Sequence, residues 1–204
     1  MRFILFIGLC IIMAGTATAQ HSRLPKTSDI VGCGPLSGQN LKCSKFGFIY
    51  TVPFGWVDRT ANISEPQSGD SEQSSSSQTL LAVFERPPEA SGETINSAVV
   101  IAAESLKDYR GVKTAADYFG AVTELAEQRG FKVDNEPYEF TVGTKKLVRA
   151  DYSKPRRSLT MFQSTLAMIE KGEIVSFTFV GGSEDEVEGL IDKLKFGPMT
   201  LRQK

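Results

Sequence analysis

The sequence predicts an α+β fold: a central, mainly antiparallel β-sheet covered by amphipathic helices. Three observations predict it. Apolar and polar residues alternate with a period of two through much of the second half, two other stretches follow helical spacing, and short turn signals join consecutive strands. The composition agrees, since 204 residues that are 41% hydrophobic and 23% charged suit one globular domain behind a short leader. A balance of 23 Lys+Arg against 24 Asp+Glu excludes a chain-wide basic footprint for nucleic acid. Three Cys are too few to build a disulfide miniprotein.

The leader occupies residues 1–19. Arg2 supplies a positive charge, residues 3–13 are an apolar run, and Ala17-Thr18-Ala19 ends it in the small-residue pattern that a signal peptidase reads. The run is shorter than the ~20 residues a helix needs to cross a bilayer, so cleavage after Ala19 is expected in preference to a retained anchor. Cys10 follows the bulky Leu9, which does not suit a lipoprotein cysteine. The expected mature chain starts at Gln20, has 185 residues, a net charge of −2 and no transmembrane segment. It is expected outside the cytoplasm, in the periplasm or beyond.

Residues 20–44 form an N-terminal segment, and the domain proper spans 45–200. Losing Cys10 leaves Cys33 and Cys43 as a pair in a compartment where disulfides persist. The Gly and Pro residues between them allow a short loop to close, which favours a structural disulfide over free thiols or intermolecular pairing. Residues 46–52 read as a strand ending at Pro53, with 54–57 continuing it after the break. Residues 62–78 contain seven Ser and no apolar periodicity, and read as a flexible loop; Asn62-Ile63-Ser64 within it matches an N-glycosylation sequon. The apolar runs 80–84 and 98–103 are bounded by Pro87-Pro88 and Ser91-Gly92 and read as buried strands joined as a hairpin.

A helix follows. Thr114 and Asp117 form its capping box, Gly130 ends it, and Ala115, Phe119, Val122 and Ala126 make its core stripe, with Tyr118 and Leu125 beside it. Tyr138, Phe140 and Val142 then alternate up to a Gly143-Thr144 turn, and Val148, Ala150 and Tyr152 alternate after it. Runs 159–169 and 174–180 flank Glu170-Lys171-Gly172-Glu173 as a hairpin, with Val175, Phe177 and Phe179 on one face. Ser183 and Glu186 cap a last helix in which Val187, Leu190, Ile191 and Leu194 keep helical spacing, Lys193 and Lys195 complement its dipole, and Gly197-Pro198 stops it.

This order of elements resembles the PsbP-like proteins, which share a fold with a Ran-binding nuclear import factor. The resemblance covers about residues 45–196 and rests on Phe48-Ile49-Tyr50-Thr51-Val52-Pro53-Phe54-Gly55-Trp56, the helix at 115–128 and the closing helix at 187–194. It implies a mostly non-catalytic protein, the best-known member being an extrinsic subunit that docks onto photosystem II. The sequence departs from that member in its simple export signal and in lacking histidine in the domain body.

The residues themselves agree. The one histidine, His21, stands at the expected mature N-terminus, and no G-x-S-x-G, phosphate-cradling or dinucleotide motif is present. No cofactor or metal is expected. Six basic residues, Lys145, Lys146, Arg149, Lys154, Arg156 and Arg157, face only Asp151 within 145–157, a local charge of +5. They form a candidate docking patch for another envelope protein or an anionic surface, set against the alternative that they keep a sheet edge soluble. The sequence therefore points to an exported, non-catalytic binding or assembly module. The alternatives are a small-ligand carrier with a pocket between sheet and helices near Trp56, and an acid-based or Ser-Lys hydrolase.

Overall fold

The computed structural model describes residues 32–64, 77–90 and 92–197. The expected signal peptide, His21, residues 65–76 of the serine-rich stretch and Pro198 lie outside the described residues. Seven strands make the main sheet: β3 (Val57–Asp58), β4 (Gln78–Phe84), β5 (Ala98–Ser105), β6 (Lys132–Val142), β7 (Lys145–Arg156), β8 (Leu159–Glu170) and β9 (Glu173–Gly181). Their order is β3-β4-β5-β9-β8-β7-β6, and every neighbouring pair is antiparallel. A second sheet of order β1-β2-β10 joins β1 (Asn40–Cys43), β2 (Phe48–Thr51) and β10 (Leu194–Phe196). The helices are α1 (Thr60–Ser64), α2 (Ala115–Gln128) and α3 (Glu184–Ile191).

Turn chemistry sets the register of the long hairpins. Lys171 and Gly172 both hold positive φ, 52° and 78°, the two-residue loop whose twist matches antiparallel strands. Successive side chains then point to opposite faces. On one face Leu147, Leu166, Met168, Val175, Phe177 and Phe179 meet Phe48 and Tyr50 of the small sheet and Val187, Leu190 and Ile191 of α3. Phe48 packs edge-on to Phe177 at 5.1 Å between ring centres. On the other face Ala150, Tyr152, Ala167 and Ile174 receive Tyr118, Phe119 and Ala126 of α2. The molecule is thus small sheet with α3, main sheet, then α2: an α+β sandwich.

The α2 bounds follow from its punctuation. Both halves of the Thr114–Asp117 capping box form, and the backbone N–H groups of Lys113 and Thr114 hold the Asp117 carboxyl below its usual range. Leu125 is 47% exposed, so the core stripe is narrower than its periodicity implies. At its start, Tyr118 and Tyr109 both donate to Glu104 Oε2, at 2.7 and 2.8 Å, which ties α2 and the preceding turn to β5.

Three expectations change. The last helix stops at Ile191, and Leu194 opens a strand paired with Tyr50 of β2. Leu194 satisfies helical spacing, but a partner strand supplies its burial and ladder bonds, which periodicity cannot register. The chain after Pro53 does not continue the first strand: a turn with Trp56 N–H bonded to the Pro53 carbonyl carries it into the main sheet. The segment before residue 45 is part of the domain, because β1 pairs with β2 and Leu41, Cys33 and Cys43 lie in the main core. Cys33 and Cys43 face each other across a β-bridge, bonded to one another and 2% and 0% exposed. The described ends of the serine-rich stretch are structured, Asn62 lying in α1 and Gln78 opening β4.

Replacing both Cys33 and Cys43 by Ser is expected to lower stability by about 3 kcal/mol, read as a fall in urea midpoint at constant m-value. A midpoint equal to that of the oxidised protein would show that the bridge contributes nothing. A second expectation concerns alkali. Burial, reinforced by the bond to Glu104, pushes the Tyr109 phenol up to about 12, and Tyr118 rises in the same direction for the same reasons. The unfolded chain releases these protons near pH 10 while the folded chain keeps them, so this stability is complete below roughly pH 10 and is lost as pH rises toward 12. The denaturation midpoint should fall across that window, and the Tyr109→Phe/Tyr118→Phe variant should show a shallower fall.

Candidate docking surface

The six basic residues lie on β7 and the turn after it, and the structure does not gather them into one face. At about 3.3 Å per residue, Lys145 and Arg156 stand roughly 36 Å apart. Lys145 Nζ pairs with Glu170 at 2.7 Å and Lys146 Nζ with Glu139 at 2.8 Å. Lys154 Nζ donates to the Arg129 carbonyl and lies 5.5 Å from the Phe131 ring centre. Arg149 is buried. Of these six, only Arg156 and Arg157 keep exposed guanidinium groups without an ion-pair or hydrogen-bond partner.

These two stand on a projection. β9 ends at Gly181 opposite Phe162, and β6 begins at Lys132 opposite Ser153. Beyond those points the β7–β8 ladder continues alone through Lys154↔Met161, Pro155↔Thr160 and Arg156↔Leu159. Residues 155–160 are all exposed, and Leu159 presents a large apolar side chain at 39% exposure. Arg157 holds a left-handed φ of 58° in the turn. Pro155 has no N–H to offer another strand, which guards this free edge against pairing. A second exposed group, Phe54 at 92%, tips the Pro53–Trp56 turn beside β3, at the opposite margin of the sheet.

Arg149 has a different role. Period-two alternation from buried Leu147 turns positions 149 and 151 inward. Arg149 Nε donates to Asp151 Oδ1 at 2.7 Å, and its Nη2 donates to Ser164 Oγ at 3.1 Å and to the Glu188 carboxylate on α3. Tyr138 donates to Asp151 Oδ2 at 3.0 Å, Ser164 donates to Asp151, and the guanidinium lies 4.9 Å from the Phe140 ring centre. Burial alone works against its charge, but Glu188 and Asp151 outweigh that and raise its pKa above the ordinary value. The group clasps α3 to the sheet. Composition could not show this, although the spacing of Leu147, Arg149 and Asp151 on one strand face carries the signal.

Trp56 packs at the margin of the small-sheet core. Two cavities lie apart from it: one of about 140 Å³ between α2 and the sheet, and a shallow one of about 210 Å³ lined by Ala115, Lys145, Lys146 and Met168 among others. Among the described residues no serine hydroxyl bonds a lysine ammonium, and no cluster of three His, Cys, Asp or Glu could hold a metal. No helix among them is long and apolar enough to cross a membrane.

No protein-family model and no curated protein matches the chain. Solved structures do. The chain is similar to cyanobacterial PsbP (CyanoP) from Synechocystis, with 14% identity and a TM-score of 0.45 over 81% of this chain and 97% of that one. It is similar to LpqN, described as involved in cell envelope biogenesis of Mycobacterium tuberculosis, at 14% identity and TM-score 0.41 over 74% and 83%. The Saccharomyces cerevisiae Ran-binding protein Mog1p is similar at 14% identity and TM-score 0.40 over 74% and 80%. PsbP and the Ran-binding protein are the two that the sequence resemblance names.

Arg149→Ala is expected to destabilise the protein by about 3 kcal/mol, because Asp151 stays half-enclosed without its cation. Glu188→Gln should have an effect below about 1 kcal/mol, Glu188 being 49% exposed at its side chain. Urea denaturation of the two variants checks the ranking, and equal losses would contradict a clasp centred on Asp151.

Proposed function

We propose that the chain is an exported, non-catalytic binding or assembly module that docks onto an acidic envelope protein through the β7–β8 hairpin. The observation that carries this reading is the projection itself, where Arg156 and Arg157 stand unpaired beside exposed Leu159 with no acidic residue between 152 and 169. Guanidinium groups fit carboxylates bidentately, and an adjacent apolar side chain adds contact area that water would otherwise cover. Export is supported by the leader at 1–19 and by the Cys33–Cys43 bridge, a bond that persists in oxidising compartments. The non-catalytic reading is supported by the missing nucleophile and phosphate motifs and the position of His21.

The mature protein recovered from its native envelope should have an intact mass that starts at Gln20. Immobilised, it should capture a protein with an acidic surface, and capture should weaken at least about tenfold as salt rises from roughly 0.05 to 0.3 M. Arg156→Glu/Arg157→Glu and Leu159→Ser should each abolish capture while leaving the denaturation midpoint unchanged, as exposed substitutions do. Capture that survives both variants, or binding of anionic vesicles in place of a protein, would overturn the reading.

A further inference from the structure

Part of the sheet beneath α2 departs from the apolar floor that an amphipathic helix ordinarily covers. Where β8 and β9 pass under the C-terminal half of α2, Gln163, Thr165, Ser176 and Thr178 occupy neighbouring positions, with Thr165 directly opposite Thr178. A cavity of about 140 Å³ lies over them, its other walls formed by Val122, Leu125 and Ala126 of α2 and by Phe131. The volume is that of about five liquid waters, which admits a molecule of a few carbons.

The hydrogen bonds of the floor leave capacity over. Thr165, 2% exposed, shares one bond with Thr178 at 3.3 Å between hydroxyl oxygens, and Gln163 Nε2 donates to Thr165 Oγ1 at 3.4 Å. Whichever threonine donates to the other, one hydroxyl hydrogen of the pair remains to be given, and both threonines line the cavity. Valine has the same shape and would pack a helix without this unmet donor, so the hydroxyls need a reason to be there. The cavity edge supplies a second cue. Arg129, at the C-cap of α2, lines it and has no ion-pair partner among the described residues, while the Lys154 ammonium sits on the Arg129 carbonyl. One end is therefore cationic and the other uncharged and hydrogen-bonding, with apolar walls between.

We propose that this cavity binds a small hydroxy-monocarboxylate, with its carboxylate at Arg129 and its hydroxyl on the Thr165–Thr178 pair. The site is independent of the hairpin and goes beyond docking. Lactate is the probe, titrated into the ¹⁵N-labelled mature protein and followed by amide shifts. Saturable shifts confined to residues 122–131 and 163–178 are expected. Propionate, which lacks the hydroxyl, and lactamide, which lacks the charge, should each bind at least about tenfold more weakly, a loss in line with one missing buried hydrogen bond or ion pair. Arg129→Gln and the near-isosteric Thr178→Val should produce the same loss, with unchanged spectra elsewhere showing that the fold is retained. Absence of saturable shifts, equal binding of lactate and propionate, or full binding by either variant would overturn the proposal and leave a water-filled packing defect. Because Arg156→Glu/Arg157→Glu should still bind lactate and Thr178→Val should still capture the protein partner, the two readings fail separately.

Discussion

Strict alternation along β7, β8 and β9 is the constraint on which the other features rest. It directs Val175, Phe177 and Phe179 to the small sheet and Ser176 and Thr178 to α2, so one strand supplies a dense aromatic core and a polar floor at once. A slip of one residue would exchange the two sets, leaving two phenylalanines under α2 and two hydroxyls against Phe48 and Tyr50. The Lys171-Gly172 turn, with both φ values positive, is the local device that prevents the slip. The same alternation turns Arg149 inward from a strand whose first and last basic residues stay at the surface.

That inward turn explains why α3 sits where it does. Val187, Leu190 and Ile191 give the helix an apolar stripe, but a stripe alone allows sliding along the sheet. Glu188 is fixed by Arg149, which is itself fixed by Asp151 and Ser164, so one short helix acquires a polar register. At its N-terminus Glu186 adds a second fastening, accepting from Ser97 and from the Gly182 N–H. With α3 placed, Leu194 follows within three residues and is delivered to Tyr50, which closes the small sheet. The Tyr50 hydroxyl is buried without a hydrogen-bond partner, and burial raises its pKa. It packs at 6.1 Å from Phe179, so the ring is held for its apolar body.

Features whose cause is local were legible in the sequence. The α2 bounds, the Lys171-Gly172 hairpin and the inner face of Phe177 and Phe179 each follow from a cap, a turn or a period, all contained within a few residues. Features whose cause is remote were not. Leu194 fits a helix and a strand equally well until Tyr50 is beside it. Residues 40–43 carry too short a pattern to declare a strand, and their partner begins five residues later, after the turn at 44–47. The clasp needs Glu188, 39 positions from Arg149. The basic segment was legible as a charge count and not as a surface, because distance along a strand and pairing with Glu139, Glu170 and Glu188 are properties of three dimensions.

The near-neutral count of 23 basic and 24 acidic residues says nothing of where the charges meet. Lys145 pairs with Glu170 and Lys146 with Glu139 across strands, and Arg149 with Asp151 on its own strand and Glu188 on α3, and each pairing removes one member of the basic segment from the long-range field. What survives is concentrated where strands β6 and β9 have ended and no acidic neighbour can reach. Two guanidinium groups in water act over about one Debye length, some 8 Å at physiological salt, so they can orient a partner only when it is already close. Affinity at such a tip must then come from contact area, and the side chain placed to supply it is Leu159, which the cross-strand register sets directly beside Arg156.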